Sequence, residues 1–353
     1  MSTLGSDRPL DTYPISSAPP AWKTSTVVRR PPPPLPTLHI MLFAFTFVST
    51  TMAGAGSGGA DPLLRDMDSV WTGLPFAMTL MAILLFHESG HYFLAKVHGV
   101  PATLPYFIPA PGFPMGTLGA FIRMKSPPAT RRALFDIGAA GPWAGLLVAI
   151  PAVLVGLRLS DVRPLGFDSG GLVLGDSILF SALTRLALGS TPSSVTIVLH
   201  PVALAGWFGL FVTALNLLPV GQLDGGHVVY ALFGRWHSWI SRLFLLAIAV
   251  LGYYGFSGWF VWIILLMIIG VDHPPTHDAQ TPLSRRRRIG AWLTVVAFIL
   301  TFTPVPFTIT EASPIFEGER TPVAWHSRQP EYARGGLRLP SPSRPPRTRG
   351  VSL

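Results

Sequence analysis

The chain has 353 residues, of which 49% are hydrophobic and only 12% are charged. A soluble globular domain carries about 25% charged residues, so this composition, with its mean hydropathy of +0.46, indicates a polytopic membrane protein rather than two soluble domains. The net charge of +9 does not indicate nucleic-acid binding, because the basic residues lie in short loops and at both ends, where they set membrane topology.

Seven apolar segments predict an all-α polytopic membrane domain over residues 38–309, with about six to seven transmembrane helices. Before it, residues 1–37 are polar and proline-rich and are predicted to form a disordered tail; residues 310–353, rich in Arg and Pro, are predicted to form another. The first segment is short for a span and could lie on the membrane surface instead. The segments are Leu38–Gly54, Leu74–Val97, Leu134–Leu157, Val195–Pro219, Trp239–Tyr253, Ser257–Val271 and Ile289–Phe307.

An irregular apolar segment, residues 100–126, follows the second predicted span. Its five prolines between Pro101 and Pro114 forbid a continuous helix, and the stretch from Gly116 to Ile122 is typical of a β-strand or hairpin. Irregular backbone at membrane depth is tolerated where it lines a cavity or is covered by protein. The segment therefore predicts a small re-entrant β-hairpin or loop, with an ordinary interfacial loop as the alternative. The third span then opens with Gly138, Gly141 and Gly145, at a helical spacing that permits close helix contact.

The basic residues predict how the spans are oriented. They lie before the first segment, after the second, after the fourth and, as Arg285–Arg288, after the sixth. With seven spans all of these fall on one side, which the positive-inside bias makes cytoplasmic. We therefore expect an integral protein, set in the inner membrane of a bacterial cell, whose functional site faces the cytoplasmic side.

Within the second span, an apolar run without charged residues from Leu74 to Phe86 ends in the pattern His87-Glu88-Ser89-Gly90-His91. On a helix of 3.6 residues per turn the two histidines lie one turn apart on one face, spaced to hold a single metal ion. Glu88 lies beside the first of them, where it could take a proton from water at the metal. The alternative is a set of polar residues that merely pack helices together. A charged group at bilayer depth costs about 2.5 to 3.5 kcal/mol, so an unneeded glutamate there is disfavoured.

A catalytic zinc takes three protein ligands, and because the chain has no cysteine the third must be His, Asp or Glu. The candidates in apolar surroundings are Asp136, Asp224 and Asp272. Asp136 could equally cap a helix or pair with Arg132, and Asp272 could lie in a solvated turn. Asp224 is best placed, because it ends an otherwise uncharged span on the same predicted side as the two histidines. For Asp224 the alternative is a plain turn at Asp-Gly-Gly.

These paired motifs resemble those of the site-2 protease family of intramembrane zinc metalloproteases. The resemblance rests on the pattern at residues 87–91, on Asn216-Leu217-Leu218-Pro219 and on Leu223-Asp224-Gly225, and it covers roughly residues 74–233. That region corresponds to the three-helix catalytic core of the family. The resemblance implies that one Zn²⁺ ion is held by His87, His91 and Asp224, that Glu88 is the catalytic acid and base, and that Asn216 lies close to the site.

The resemblance also implies how a substrate is held. An edge strand or hairpin formed by Gly116, Thr117, Leu118 and Gly119 would pair with a locally unwound substrate by β-augmentation. The implied function is regulated intramembrane proteolysis, in which peptide bonds within or near transmembrane segments of other membrane proteins are hydrolysed. The implied partners are such a substrate and the lipid bilayer, with no nucleic acid.

Three other functions fit the sequence less well. A prenyl-protein type of membrane zinc peptidase would need a glutamate as third ligand, and every glutamate besides Glu88 lies at position 311 or later. A transporter or metal carrier would show internal repeats with broken helices in paired positions, which the sequence lacks. A catalytically idle, protease-like scaffold would not need all of His87, Glu88, His91 and Asp224. The sequence leaves the substrate and the oligomeric state open.

Overall fold

The computed structural model describes residues 36–57, 67–164, 171–190, 192, 195–276, 278 and 281–310. The two predicted tails lie outside these residues, apart from a few positions at their inner ends. The described part of the chain is mostly helical. In chain order its helices are α1 (Thr37–Ser57), α2 (Leu74–Val97), α3 (Arg131–Arg158), α4 (Ile178–Leu188), α5 (Pro201–Asn216), α6 (Asp224–Phe233), α7 (His237–Tyr254), α8 (Trp259–Ile269) and α9 (Arg285–Thr301).

Four helical stretches within the described residues are long and apolar enough to cross a membrane, namely Thr37–Ser57, Ser69–Val97, Arg131–Arg158 and Asp224–Tyr254. The chain is therefore a polytopic, mainly helical membrane protein. The predicted span Val195–Pro219 is wrong at its start, because Val195–Val198 form a strand and the helix begins only at Pro201. The predicted span Ser257–Val271 contains a helix of only 11 residues, α8, which ends before Gly270.

The fold is not all-α, since the described residues also form three two-stranded antiparallel sheets. β1 (Tyr106–Pro109) pairs with β2 (Thr117–Phe121), β3 (Asp161–Pro164) with β5 (Val195–Val198), and β4 (Gly171–Leu174) with β6 (Phe307–Thr310). The β1–β2 pair lies in the proline-containing segment where the sequence predicts a hairpin. Whether that pair is re-entrant in the membrane stays a prediction.

Helices α2, α3 and α5 form the centre of the bundle, because small residues let their backbones approach closely. A Cβ added at Gly90 of α2 would lie 2.5 Å from the carbonyl oxygen of Ala140 on α3. Likewise, a Cβ at Gly156 of α3 would lie 2.5 Å from the Cα of Ala203 on α5. Large apolar side chains fill the space around these crossings and form one buried core, which includes Phe76, Leu80, Ile83, Leu146, Val153, Leu157, Trp207 and Leu210.

Helix α1 lies against the β1–β2 pair and holds it next to α2. The Ser49 hydroxyl donates to the carbonyl oxygen of Gly116 over 2.6 Å, and the Phe43 ring meets the Phe107 ring edge to face at 5.1 Å. The strands pair Phe107 with Ala120 but Pro109 with Thr117, so β2 has one extra residue at this point. Such an insertion is a β-bulge, and Gly119, with a φ of +103°, provides the backbone conformation that the bulge needs.

An ion pair fastens α9 to the start of α3. The Arg287 guanidinium donates to Asp136 through Nε at 2.9 Å and through Nη2 at 2.8 Å. His98, just after α2, lies 2.9 Å from the same carboxylate. Asp136 therefore joins the ends of three helices instead of capping a helix or binding a metal.

Candidate metal centre

Two histidines of α2 and the first residue of α6 converge on one point. Asp224 Oδ2 lies 3.2 Å from His87 Nε2 and 3.1 Å from His91 Nε2. Zinc bonds of about 2.0–2.2 Å in tetrahedral geometry would place ligand atoms roughly 3.3 Å apart, so the three atoms fit one ion. Among the described residues, no other group of three or more His, Cys, Asp or Glu side chains could hold a metal.

The backbone of α3 orients both imidazoles. His91 Nδ1 lies 2.8 Å from the carbonyl oxygen of Ile137, so Nδ1–H donates there and Nε2 keeps its lone pair for a metal. Gly141 and Gly145 form the floor under the rings. A Cβ at Gly141 would lie 2.5 Å from His91 Cε1 and closer still to Nε2, and one at Gly145 would lie 3.1 Å from His87 Nδ1.

Glu88 lies next to the histidines and faces the strand segment. Its side chain is buried, with 4% relative exposure for the residue, and it faces the backbone N–H of Ile122, the residue after β2. This contact joins α2 to the end of β2.

Asn216 lies where the sequence predicts it, beside the histidines. It is the last residue of α5, and its Nδ2 is 3.2 Å from His87 Nε2. The alternative third ligands lie elsewhere: Asp136 binds Arg287, and Asp272 forms an exposed pair with Arg242 at 3.3 Å.

A cavity of about 200 Å³ opens beside the three converging side chains. Ala120 and Phe121 of β2 and the following Ile122 line it, together with residues of α2, α6 and the turn between α5 and α6. The four predicted substrate-binding residues, Gly116, Thr117, Leu118 and Gly119, do not line it. The Gly116 carbonyl is already taken by Ser49 and by the N–H of Ala110, and Thr117 is fully buried.

The free edge of the strand begins after the bulge. The Arg123 carbonyl accepts from the N–H of Thr103, and the Lys125 N–H donates to the Pro101 carbonyl. Odd-numbered residues therefore turn their backbone groups toward the segment that leads into β1. Even-numbered residues, from Ala120 to Met124, therefore turn theirs to the opposite edge. The Ile122 N–H faces Glu88, in agreement with this alternation.

Two further histidines belong to the site and were not predicted. His227 lies one turn after Asp224 on α6 and lines the cavity, and its Nδ1 is 2.8 Å from His273 Nε2. Burial lowers the pKa of His273, so its ring is neutral near pH 7. The helical spacing of His227 from Asp224 is a signal that could have revealed it. His273 has no such signal, because it comes from the turn between α8 and α9.

A His-Glu-x-x-His helix and a distant aspartate that meet inside a bundle of apolar helices define a class of protein, the membrane-embedded zinc metallopeptidases. The chain belongs to Peptidase family M50, whose model matches residues 75–252. The resemblance to the site-2 protease family is thereby confirmed.

Plant proteins are among the relatives of the chain. The chain is 39% identical over 171 residues to "Probable zinc metalloprotease EGY1, chloroplastic" of Oryza sativa subsp. japonica, and this match covers 47% of the chain and 29% of the relative. The protein of the same name from Arabidopsis thaliana is 39% identical, with 46% and 30% covered. "Probable zinc metalloprotease EGY2, chloroplastic" of Oryza sativa subsp. indica is 33% identical, with 53% and 35% covered. The chain thus spans about a third of the length of these relatives. No solved structure matches it.

Proposed function

We propose that the chain is an intramembrane zinc metalloprotease that hydrolyses peptide bonds within or near transmembrane segments of membrane proteins. The observation that carries the proposal is the convergence of His87, His91 and Asp224 beside a buried Glu88, in a cavity bordered by an open strand edge. Regulated intramembrane proteolysis is the process that such a site would serve.

In this proposal each side chain has a distinct task. His87, His91 and Asp224 hold one zinc ion, which supplies Lewis acidity and an acidified water when bound. Glu88 accepts the proton of the attacking water and returns it to the leaving amine. The Asn216 amide, 3.2 Å from His87 Nε2, is placed to donate to the carbonyl oxygen as its negative charge grows.

A substrate helix must unwind locally before its peptide bond can be attacked, because it satisfies its own backbone hydrogen bonds. The free edge at Ala120 and Ile122 borders the cavity and could replace some of those bonds by β-augmentation. Each replaced bond contributes about 1 kcal/mol net. We therefore propose that the substrate pairs with Ala120 and Ile122 rather than with Gly116–Gly119.

The apolar helices support a membrane setting, and we propose that about six to seven of them span it. α5 and α9, with 16 and 17 residues, measure about 24 to 26 Å, which approaches the roughly 30 Å hydrocarbon thickness. The relatives do not support the expected bacterial inner membrane. They are named as chloroplastic, so a chloroplast membrane is the better proposal. The site faces the side that carries Arg131 and Arg285–Arg288, the cytoplasmic side of a bacterium or its chloroplast equivalent.

The test uses the full chain purified in detergent, with zinc content and cleavage of a panel of single-span proteins measured in parallel. Glu88→Gln should retain zinc and a normal melting temperature but lose cleavage, because the amide cannot accept the proton. Asp224→Ala should lower zinc content, because a ligand is lost. Full proteolysis by Glu88→Gln would refute the proposal. Zinc binding with ion flux and no cleavage would support a transporter, and zinc binding without either activity an idle scaffold.

A further inference from the structure

His227 is a polar side chain in the cavity that the proposed chemistry does not use. It is buried, with 8% relative exposure, and it lines the cavity together with His87, Glu88 and His91. A Cβ at Gly138 of α3 would lie 2.8 Å from His227 Cβ and 3.4 Å from Cδ2, so close packing restricts where the imidazole can turn. The ring is thus held in a defined place next to the site.

A chain of two hydrogen bonds determines which nitrogen of His227 carries the proton. His273 Nδ1 is 2.6 Å from the carbonyl oxygen of Pro274 and must donate to it, because a carbonyl only accepts. In the neutral ring His273 Nε2 is then an acceptor, so His227 Nδ1, 2.8 Å away, must be the donor. The remaining nitrogen, His227 Nε2, therefore has a lone pair and no proton.

His273 is itself held firmly. Its ring stacks on Tyr230 of α6 with centroids 4.4 Å apart and an interplanar angle of 20°. The segment that carries it is fastened to the turn between α5 and α6, where the Gly221 N–H donates to the Val271 carbonyl over 3.0 Å. Both contacts tie His273 to the elements that present Asn216 and Asp224.

We propose that His227 Nε2 accepts a hydrogen bond from a backbone N–H of the bound substrate, and that His273 is a positioning residue that holds His227 in the accepting tautomer. The inference rests on the proposed function, because it needs a peptide in the cavity. A peptide strand presents both carbonyl and N–H groups. The strand edge and Asn216 provide donors, and His227, which lines the same cavity, provides an acceptor. Since His273 lies outside residues 75–252, the site would depend on a part of the chain beyond the family match.

The test measures binding rather than cleavage. The probe is a peptide hydroxamate, together with analogues in which each amide nitrogen is methylated in turn, titrated onto the zinc-loaded full chain. His227→Asn keeps a donor near the position of Nδ1 but removes the acceptor, so the parent probe should bind about five-fold more weakly, as expected for one net hydrogen bond of about 1 kcal/mol. His227→Gln places an amide oxygen near the position of Nε2 and should restore most of that affinity.

The methylated analogues locate the interaction. One analogue should lose about five-fold in affinity for the wild-type chain and nothing further for His227→Asn. His273→Phe keeps the ring stack on Tyr230 but removes the acceptor for His227, and it should behave like His227→Asn, whereas His273→Gln should be close to wild type. His200→Asn is the matched control: His200 caps α5 at the end opposite Asn216, asparagine is also a good N-cap, and the change should leave binding unchanged.

Zinc content and melting temperature are recorded for every variant, and His273→Phe replaces His227→Asn if the latter does not hold zinc. Two results would overturn the inference and leave the proposed function standing. One is unchanged affinity of these variants for the parent probe. The other is that every methylation weakens binding to His227→Asn as much as it weakens binding to the wild-type chain. If the parent probe does not bind the wild-type, zinc-loaded chain at all, the proposed function fails, and the inference fails with it.

Discussion

A methyl group added under His91 should remove the metal without unfolding the bundle. In Gly141→Ala the new Cβ would lie 2.5 Å from His91 Cε1 and nearer to Nε2. Non-bonded carbon atoms prefer about 3.5 to 4.0 Å, so the imidazole must retreat by at least about 1 Å. Zinc sites tolerate deviations of only about 0.2 Å in ligand distances. We therefore expect zinc affinity to fall by a factor of roughly 100 or more, the upper range seen for lost supporting contacts.

The assay is competition of the purified chain with a chelator of known zinc affinity, alongside thermal unfolding. Gly56→Ala in α1, where a Cβ meets nothing within 4 Å, is the control and should keep zinc. Gly145→Ala should give a smaller loss, since its Cβ would be 3.1 Å from His87 Nδ1 and the ring need move only a few tenths of an ångström. Alanine stabilises a helix by about 1 kcal/mol relative to glycine. If the substitution acted on helix formation alone, the variant would therefore be more stable than the wild type. Wild-type zinc affinity in Gly141→Ala would refute the reasoning.

Two further predictions concern the supports around the site. Arg287→Met should lower the free energy of unfolding by about 1 to 3 kcal/mol in chemical denaturation, because it leaves the part-buried Asp136 without its charged partner. The exposed Arg286→Met is the control, and equal stability of both variants would contradict the prediction. Gly116→Ala should have a lower melting temperature than Gly112→Ala. Both glycines have a positive φ, but only a Cβ at position 116 would collide with the backbone of α1. Equal melting temperatures would show that the α1 contact is unimportant.

The metal site was largely predictable because its signals are local. The i, i+4 spacing places His87 and His91 on one face of any helix. Asp224 could be selected because charged residues are rare in apolar spans, and the structure brings its carboxylate to within 3.2 Å of both rings. The glycines at the start of the third span predicted close helix contact, and Gly141 and Gly145 do lie directly under the two histidines.

The substrate strand could not be placed from the sequence with the same accuracy. A single extra residue at Gly119 changes which backbone groups reach the free edge, and no pattern in Gly116–Gly119 reveals that bulge. The roles of the other candidates for the third ligand were also ambiguous in the sequence, because the partner of Asp136 is Arg287, which lies 151 positions away. The same holds for His273, whose contact with His227 depends on how the turn after α8 packs.

The size of the cavity has a consequence for the choice of substrate. About 200 Å³ is the volume of roughly seven water molecules, whereas a helix with its side chains is about 10–12 Å across, so only a few extended residues can enter. Selection would then depend on the free energy of unwinding them, and each alanine replaced by glycine lowers that cost by about 1 kcal/mol. Three such residues near the membrane boundary would raise the unwound population by roughly 100-fold. A protease of the proposed kind would thus select substrates with weak helices rather than a particular sequence.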